Sequence, residues 1–344
     1  MPSQTLSDRK DAHLSLCLSP GMYGPGSTLP EIVLPYQADF PVSDKRLDTH
    51  VTIADRELAF PLIIASMTGG TPTATPFNTS LRRIASELGI GLGLGSIRAC
   101  LENEDLLPTY GTGDAPWLFG NLGISEIMLG RHTPQKVRET LQKLGCHGLY
   151  IHFNVLQEWL QPEGDHDLYT DIDRLSQFVD RLDMPVILKE VGSGIGGNCA
   201  MRLARLNIRG LETASRNGTS WIRIEAERRD PKLDPRFTDA LDRIGIPLRT
   251  AIQDCRSAMK TRTVVASGGI TDPLTLVKCL AIGADAVSIA RPVYAAFKRG
   301  GEEDARAWLQ DLIQTSRLIW RSTGTKNIAQ LRQSVDLTHK RAFL

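Results

Sequence analysis

Polar and ionisable side chains are concentrated in HFNVLQEWLQPEGD, residues 152–165, where an apolar run ends. His152, Asn154, Gln157 and Glu158 lie at short spacing there, and a solvated loop requires no such arrangement. A histidine and two amides can donate and accept hydrogen bonds with a polar ligand. A carboxylate can hold Mg²⁺, which favours one or two carboxylates together with substrate phosphates. The segment therefore predicts a binding site at the end of a buried strand.

Two further carboxylates of the same segment, Glu163 and Asp165, are additional candidates for the metal. The alternative for all the acidic residues here is a solvated loop.

Charges also interrupt the apolar run PVILKEV, residues 185–191. A charged residue inside a buried strand must be paired or functional. Lys189 is a candidate for holding an electron-rich ring. The alternative is a structural salt bridge between Lys189 and Glu190, or from either of them to helix residues.

The stretch VVASGGI, residues 264–270, has the form of a phosphate cradle. Bare glycine backbone can approach an anion closely, and a helix beginning near Asp272 would add the positive end of its dipole. The later stretch IARP, residues 289–292, supports this interpretation, although a GG pair can also simply end a strand.

These residues need elements to position them, and short apolar runs alternate with amphipathic segments from Phe60 onward. The eight candidate strands span residues 62–68, 89–95, 117–123, 148–154, 185–191, 210–215, 263–269 and 285–291. This alternation predicts an α/β protein with a TIM (β/α)8 barrel, in which all strand ends that carry the polar clusters share one face. An open doubly wound sheet is the alternative fold.

We expect residues 1–59 to form an N-terminal extension without core packing and residues 60–344 to form one barrel domain with C-terminal helices. Helix signals support the assignment. Thr133 and Pro134 are typical of a helix start with Gly145 at its end, and Asp272 with Pro273 begins another helix. The C-terminal helices are predicted over residues 302–320 and 327–334.

Composition narrows the class of protein. The 40 basic and 39 acidic residues leave no global field for nucleic acid or an anionic membrane, so anion binding must be local. Six scattered cysteines without metal-site spacing favour a reducing compartment and no disulfides. Because no apolar leader or spanning segment is evident, we expect a cytoplasmic protein. A homo-oligomer is a separate expectation.

Nine motifs, in order and over most of the chain, resemble those of the type 2 isopentenyl diphosphate isomerases, a flavin-dependent family. The matching motifs are RKDAH (9–13), MTGG (67–70), GLGSIR (93–98), GNLG (120–123), HFNVLQEWLQPEGD (152–165), PVILKEVGSGI (185–195), NGTSW (217–221), SGGI (267–270) and GADAVSIARP (283–292). The resemblance implies a TIM barrel that interconverts isopentenyl and dimethylallyl diphosphate, with reduced FMN, Mg²⁺ and NADPH as the reductant. A reduced flavin can give and take the proton that an unactivated alkene requires.

The resemblance also implies a role for each matching residue. Along the flavin ring it places Met67, Thr68, Gly69, Ser96, Asn121 and Lys189. Around the flavin phosphate it places Thr219, Gly268, Gly269, Ala290 and Arg291. For the substrate it implies Arg9, Lys10, His13, Arg98, His152 and Asn154, with Gln157 at the alkene and Glu158 on Mg²⁺. Gln157, His152 and Lys189 are the implied catalytic residues, Gln157 in a positioning or proton-relay role because a neutral amide is a poor acid.

The chain departs from the family pattern in places. Ile97 replaces a glutamine, which suggests an apolar wall with room for a bulkier prenyl chain. Asn217 replaces a glycine, Ala214-Ser215 replaces a small residue followed by glycine, and GGITDP (268–273) lacks an arginine and a glycine. These changes could weaken FMN binding, or leave its phosphate to Thr271 and Arg291.

Three functional classes follow. The first is the isomerase. The second is a paralogue that applies the same proton chemistry to a longer prenyl diphosphate, for example in cyclisation. The third is a non-enzymatic protein that binds FMN or a prenyl diphosphate, which the presence of Gln157, Glu158 and Lys189 disfavours. Arg9 and Lys10 lie in the extension, where the alternatives are a solvated tail and an arm that closes over a diphosphate.

Overall fold

The computed structural model describes residues 6–39, 42–162 and 164–335, and its centre is a closed barrel of eight parallel strands. The barrel strands are β3 Leu62–Ile64, β4 Gly91–Ser96, β5 Trp117–Gly123, β6 Gly148–Phe153, β7 Val186–Glu190, β8 Gly210–Glu212, β9 Thr263–Ser267 and β10 Ala286–Ile289. Each strand pairs with its neighbour in sequence, and β10 pairs with β3. All eight predicted strands and the TIM barrel are confirmed, and the open sheet is excluded.

Helices surround the barrel, and further helices occur in the extension and after the last strand. They are α1 Leu6–Leu16, α2 Thr75–Leu88, α3 Arg98–Glu102, α4 Ile124–Met128, α5 Pro134–Lys143, α6 Val155–Leu160, α7 Ile172–Leu182, α8 Gly197–Leu203, α9 Trp221–Arg228, α10 Pro235–Asp242, α11 Leu248–Met259, α12 Pro273–Ala281, α13 Arg291–Ser322 and α14 Ile328–Gln333. None of these helices, which belong to the described residues, is long and apolar enough to cross a membrane.

The predicted helix signals act as capping groups. Thr133 accepts a hydrogen bond from the backbone N–H of Lys136, which satisfies one free donor at the start of α5. Asp272 caps α12 in the same way through the N–H of Thr275. The long helix α13 is interrupted at Gly300 and Gly301, so the predicted C-terminal helix begins at a real break.

The amino end of the barrel is closed by a hairpin of the extension, β1 Val51–Ile53 and β2 Arg56–Leu58. Ile53 and Leu58 are fully buried against the barrel interior, where the Trp117 and Phe119 rings stack with centroids 3.9 Å apart. The Trp117 indole N–H donates to the Ile53 carbonyl at 3.0 Å. The expectation that the extension lacks core packing was wrong, because an open barrel end would expose apolar side chains to water.

The extension also contacts the C-terminal helices. The N–H of Gln37 donates to the carbonyl of Ser322, and the N–H of Asp48 donates to that of Lys326, both at 2.8 Å. The Arg321 guanidinium donates to the Val42 carbonyl at 3.0 Å. The extension and the C-terminal part of the barrel domain are therefore joined to each other by hydrogen bonds.

Candidate active site

A large open cavity lies at the carboxyl ends of the barrel strands, beneath α1. Every residue to which the family resemblance assigns a role at the flavin, the substrate or the metal lines it, whereas Asp165 does not. On the cavity wall are Met67, Thr68, Gly69, Ser96, Asn121, Lys189, Thr219, Gly268, Gly269, Ala290, Arg291, Arg9, Lys10, His13, Arg98, His152, Asn154, Gln157 and Glu158. The structure thus brings these residues together, and their individual roles stay predictions.

The loops after β8, β9 and β10, which we call the β8–β10 arc, pack backbone against backbone. Gly268 has φ +104°, and a Cβ there would lie 2.0 Å from the carbonyl oxygen of Ser215. A Cβ on Gly218 would lie 2.8 Å from the backbone nitrogen of Gly269. Only glycine fits such close approach. The arc can therefore present backbone N–H groups to an anion, the geometry predicted from SGG.

Apart from Ile97, the residues that depart from the family pattern fall on the same arc. Asn217 occupies the left-handed region at φ +86°, which asparagine tolerates better than most residues. Ala214 also has a positive φ, +40°. Thr271 lines the cavity, while Asp272 is occupied as the cap of α12. The cavity end of the loop thus keeps its glycines and gains a threonine hydroxyl.

Several buried hydroxyl, amide and carboxylate oxygens of the cavity wall have no hydrogen-bond partner in the described part of the chain. They are Ser66 Oγ, Thr68 Oγ1, Ser288 Oγ, Asn154 Oδ1 and Glu212 Oε2. Buried polar atoms are normally satisfied, because an unmade hydrogen bond costs ~1–3 kcal/mol. This wall is therefore suited to a ligand that brings its own donors and acceptors.

Lys189 is buried on β7, with its Nζ donating to the Glu190 carbonyl at 3.1 Å and lying 6.0 Å from the centre of the Tyr150 ring. The Glu190 carboxylate accepts backbone N–H groups of the following loop, including that of Gly194 at 3.0 Å. The salt bridge between Lys189 and Glu190 is therefore not formed, and the ammonium group faces the cavity.

His152 hydrogen-bonds through Nδ1 to Asn121 Oδ1 at 2.9 Å. Burial, with a smaller contribution from the Lys189 charge, lowers the pKa of His152 to about 3. The imidazole is therefore neutral at physiological pH. With Nδ1 donating to Asn121, Nε2 is left as an acceptor on the cavity side.

A buried carboxylate that the sequence reasoning missed, Glu225, holds the polar residues of α6. Its Oε1 accepts from Gln157 Nε2 at 2.8 Å and from Gln161 Nε2 at 3.1 Å. His13 Nε2 lies 2.8 Å from the same oxygen, and Arg228 pairs with Oε2. Glu225 is fully buried on α9. An acidic residue on the apolar face of an amphipathic helix was the available signal.

Burial opposes the ionisation of Glu225, yet its pKa is lowered, because hydrogen bonds and charges from His13, Gln157 and Arg228 favour the carboxylate. The charged acceptor orients the Gln157 amide so that its N–H₂ group points at Glu225. The Gln157 carbonyl oxygen then lies 3.4 Å from Asn154 Nδ2. Gln157 is thus held by its surroundings rather than free to rotate.

A second missed carboxylate, Glu126 on α4, holds Arg98. Arg98 NH1 lies 3.4 Å from Glu126 Oε1, and Arg131 NH1 lies 2.8 Å from the same atom. Arg98 also pairs with Glu102 through Nε at 2.7 Å. Since Glu126 is 2% exposed and lines the cavity, the Arg98 guanidinium is fixed at the wall.

Glu158 uses both carboxylate oxygens within its loop. Oε1 accepts from Asn154 Nδ2 at 2.8 Å, and Oε2 accepts from the Asp165 N–H at 3.2 Å. Glu163 lies outside the described residues. No group of three His, Cys, Asp or Glu side chains in the described ranges converges on a metal position. A single carboxylate that shares Mg²⁺ with substrate phosphates remains compatible with this arrangement.

Helix α1 lies over the cavity and contributes three predicted residues. Lys10 Nζ donates to the Gly69 carbonyl and lies 3.4 Å from the Ser96 carbonyl oxygen. Arg9 NH1 donates to Gln161 Oε1 at 3.2 Å. Burial lowers the pKa of Lys10 to about 8. The solvated-tail interpretation of Arg9 and Lys10 is therefore wrong.

Ile97 does not face the cavity. Its side chain is fully buried in the main apolar core, and a Cβ on Gly120 would lie 3.6 Å from its Cγ2. The residue precedes α3, where the chain turns the side chain toward α5 and not toward the mouth. The prediction that Ile97 forms a prenyl wall was wrong.

Comparison with known proteins supports the family assignment. Residues 132–337 match the FMN-dependent dehydrogenase family. The chain is 35% identical to the isopentenyl-diphosphate delta-isomerase of a Synechococcus species, covering 96% of this chain and 95% of the relative. It is 33% identical to that of Ignicoccus hospitalis, over 86% and 84% of the two chains.

Solved structures with the same fold include a flavocytochrome b2 mutant with benzoylformate and a mandelate oxidase mutant with an FMN adduct. The first has a TM-score of 0.67 at 15% identity, covering 91% of this chain and 78% of the other. The second has a TM-score of 0.65 at 18% identity, covering 95% and 91%. At such identities they support the barrel alone. The two closely covered relatives and the family match together show that the chain belongs to the isopentenyl-diphosphate delta-isomerases of the FMN-dependent family.

Proposed function

We propose that the protein interconverts isopentenyl diphosphate and dimethylallyl diphosphate, using reduced FMN and Mg²⁺. One observation carries this proposal. The cavity has a glycine-lined backbone cradle on the β8–β10 arc and, on the far side of the barrel, a separate set of cations, Arg9, Lys10 and Arg98. Two anion-binding ends in one cavity suit a phosphorylated cofactor and a phosphorylated substrate bound together.

The cavity wall fits FMN on its own evidence. The cradle backbone at Gly218 and Gly268 lines the cavity and has no room for a side chain, and the unpartnered hydroxyls of Ser66, Thr68 and Ser288 line the same cavity. Lys189, Met67, Gly69, Ser96 and Asn121 would border the ring. When bound in its reduced form, FMN supplies a group that can give and take a proton beside an alkene.

The substrate end is formed by the loops after β4, β5 and β6, which we call the β4–β6 arc, together with α1. Arg9, Lys10 and Arg98 would hold the diphosphate, since cations bind phosphate oxygens in charge-assisted hydrogen bonds. The neutral His152 imidazole would add a hydrogen bond without a charge. Gln157, held by Glu225, would face the alkene and keep its position while a proton moves. Helix α1 would exclude water from a cation-like state.

Glu158 is the proposed protein ligand of Mg²⁺, and the substrate diphosphate would supply further oxygen ligands to the same ion. We also propose NADPH as the physiological reductant, which is supported by the family motifs only. A cytoplasmic location and a homo-oligomeric state remain predictions. The paralogue that acts on longer prenyl diphosphates loses its main argument, because Ile97 lies in the core.

The test is product analysis under anaerobic conditions. The FMN-loaded protein is incubated with isopentenyl diphosphate and with geranyl diphosphate in parallel, after reduction by dithionite or NADPH. We expect dimethylallyl diphosphate from the first substrate, no turnover of the second and no activity before reduction. Full activity in flavin-free protein, or products from geranyl diphosphate alone, would overturn the proposal.

A Glu158→Gln variant tests the metal role. The Mg²⁺ concentration needed for half-maximal activity should rise by about tenfold or more while FMN remains bound, because the variant loses a charged ligand. The matched control is Asp167→Asn, an exposed carboxylate of the same loop. An unchanged Mg²⁺ requirement would return Glu158 to the solvated loop.

A further inference from the structure

Residues 22–27 of the extension, which we call the strap, run along the cradle. Their backbone is hydrogen-bonded to both cradle loops. The N–H of Gly24 donates to Gly218 O at 2.8 Å, that of Gly26 to Asn217 O at 3.1 Å, and that of Ser27 to Gly269 O at 2.7 Å. In return, the N–H of Ser220 donates to Met22 O at 2.9 Å. The strap thus fixes the position of the loops after β8 and β9 relative to each other.

One side chain of the strap makes a specific contact. The Tyr23 ring lies against the Arg291 guanidinium, whose carbon is 3.6 Å from the ring centre. Tyr23 also forms a backbone bridge with Thr219. A guanidinium over an aromatic face is attracted by the ring quadrupole, and the contact holds the planar group in one orientation.

Arg291 occupies a special place among the cationic side chains of the cavity wall. The other lysines and arginines of the cavity wall are Arg9 and Lys10 on α1, Arg98 directly after β4, and Lys189 on β7. Among the residues that line the cavity, Arg291 is the one lysine or arginine of the β8–β10 arc, and no carboxylate of the described residues pairs with it. Arg216 belongs to the same arc, but its guanidinium donates to the Arg243 carbonyl and the residue does not line this cavity. A phosphate in the cradle would therefore meet its one side-chain charge at Arg291.

We propose that Tyr23 is a positioning residue for this charge. By covering one face of the guanidinium, it leaves the N–H edge of Arg291 directed at the cradle, and the strap backbone keeps the ring in place. The cofactor phosphate is then recognised by three chain segments together: the strap, the glycine loops and the start of α13. This inference rests on the proposed binding of FMN and adds a residue to it.

The experiment compares FMN with riboflavin, which has the same ring without the phosphate. Apo-protein is titrated with each by flavin fluorescence, for the wild type and for Tyr23→Ala, Tyr23→Phe and Tyr36→Ala. Tyr36 is the matched control, an exposed tyrosine of the same extension. Thermal melts of all variants establish that each is folded.

We expect Tyr23→Ala to raise the FMN dissociation constant by about 3- to 30-fold, the range of a partly buried cation–π contact, and to leave that of riboflavin unchanged. Tyr23→Phe should stay within about twofold of the wild type, because the ring is retained. In an Arg291→Ala background, Tyr23→Ala should have no further effect on FMN, since the group that it positions is absent.

An equal loss of FMN and riboflavin affinity, or none, would overturn the inference, as would tighter FMN binding by Tyr23→Ala. These outcomes differ from failure of the proposed function. A wild-type protein that binds neither flavin contradicts both, whereas FMN binding that does not depend on Tyr23 contradicts the strap role alone.

Discussion

The β8–β10 arc and the β4–β6 arc would hold the two proposed anions by different means. The first uses backbone at glycines such as Gly218 and Gly268, with little room for side chains. The second uses side chains, and two of them are fixed by buried carboxylates, Gln157 by Glu225 and Arg98 by Glu126. Backbone sites tolerate few substitutions at the site itself. Side-chain sites depend on residues that do not touch the ligand.

The largest expected effect comes from Glu225→Gln. Without the carboxylate, Arg228 loses its ion-pair partner, His13 loses its hydrogen-bond partner, and the Gln157 amide can turn. We expect kcat/KM to fall by about 100-fold, the cost of a small misplacement in an active site, with FMN affinity unchanged. Steady-state kinetics and flavin titration measure the two effects. Glu227→Gln is the control, an exposed neighbour paired with Lys232.

The Glu225 carboxylate also makes the stability of the folded protein depend on pH in the acid range. Because the pKa of Glu225 is lowered in the folded state, its contribution is present above the unfolded pKa and is lost as the pH falls through the folded value. The melting temperature of Glu225→Gln should therefore depend less on pH in acid than that of the wild type. An equal pH dependence of the two melting temperatures would contradict this contribution of Glu225 to stability. Weaker FMN binding by the variant would show that the two arcs are not independent.

Two glycine substitutions separate the arcs directly. Gly218→Ala places a Cβ 2.8 Å from Gly269 N and should raise the FMN dissociation constant by about tenfold, since overpacking costs ~1–3 kcal/mol. Gly123→Ala places a Cβ 3.3 Å from His152 Nε2 and should raise substrate KM a few fold. Gly123 has φ −70°, so alanine adds no backbone strain. If both variants changed the same constant, the two arcs would not be independent.

A pH titration can separate the substrate end of the cavity, where Lys10 lies, from the FMN end on the β8–β10 arc. With its pKa lowered to about 8, Lys10 loses its charge as the pH rises through that value. Substrate KM should increase by about fivefold between pH 7 and 9, because a charged hydrogen bond is worth ~1.5–3 kcal/mol. FMN affinity should stay constant over the same range. The rise should be absent in Lys10→Arg, and a rise that persists would assign it to another group.

The smallest effect on catalysis is expected for Ile97→Gln. An amide without a partner in the core costs ~1–3 kcal/mol and should lower the melting temperature by several degrees. The relative use of isopentenyl and geranyl diphosphate should not change, since the Ile97 side chain is buried in the core and does not line the cavity. Ile97→Val, which stays apolar, is the control. A change in substrate preference would place the residue back on the cavity wall.

The sequence was sufficient for the barrel because the period of apolar runs and the caps at Thr133 and Asp272 report local structure. Six of the eight predicted strands were too long at their carboxyl ends, as in 62–68 against Leu62–Ile64, where the following residues leave the sheet to line the cavity. Pairings over long separations could not be read from one sequence. Glu225 is 68 positions from Gln157, and only packing of α9 on α6 brings them together.

The joining of the extension to the C-terminal helices has a consequence for how the chain acquires its structure. Residues near 37 and 48 find their partners at 322 and 326, so closing these contacts carries the loop-closure entropy of almost the whole polypeptide. During synthesis the extension must wait until the last helices leave the ribosome. The strap belongs to that extension, so the nascent barrel can form its strands before its phosphate end is complete. Deleting the extension would remove the hydrogen-bond partners of Ser322 and Lys326, and deleting the C-terminal helices would remove those of Gln37 and Asp48.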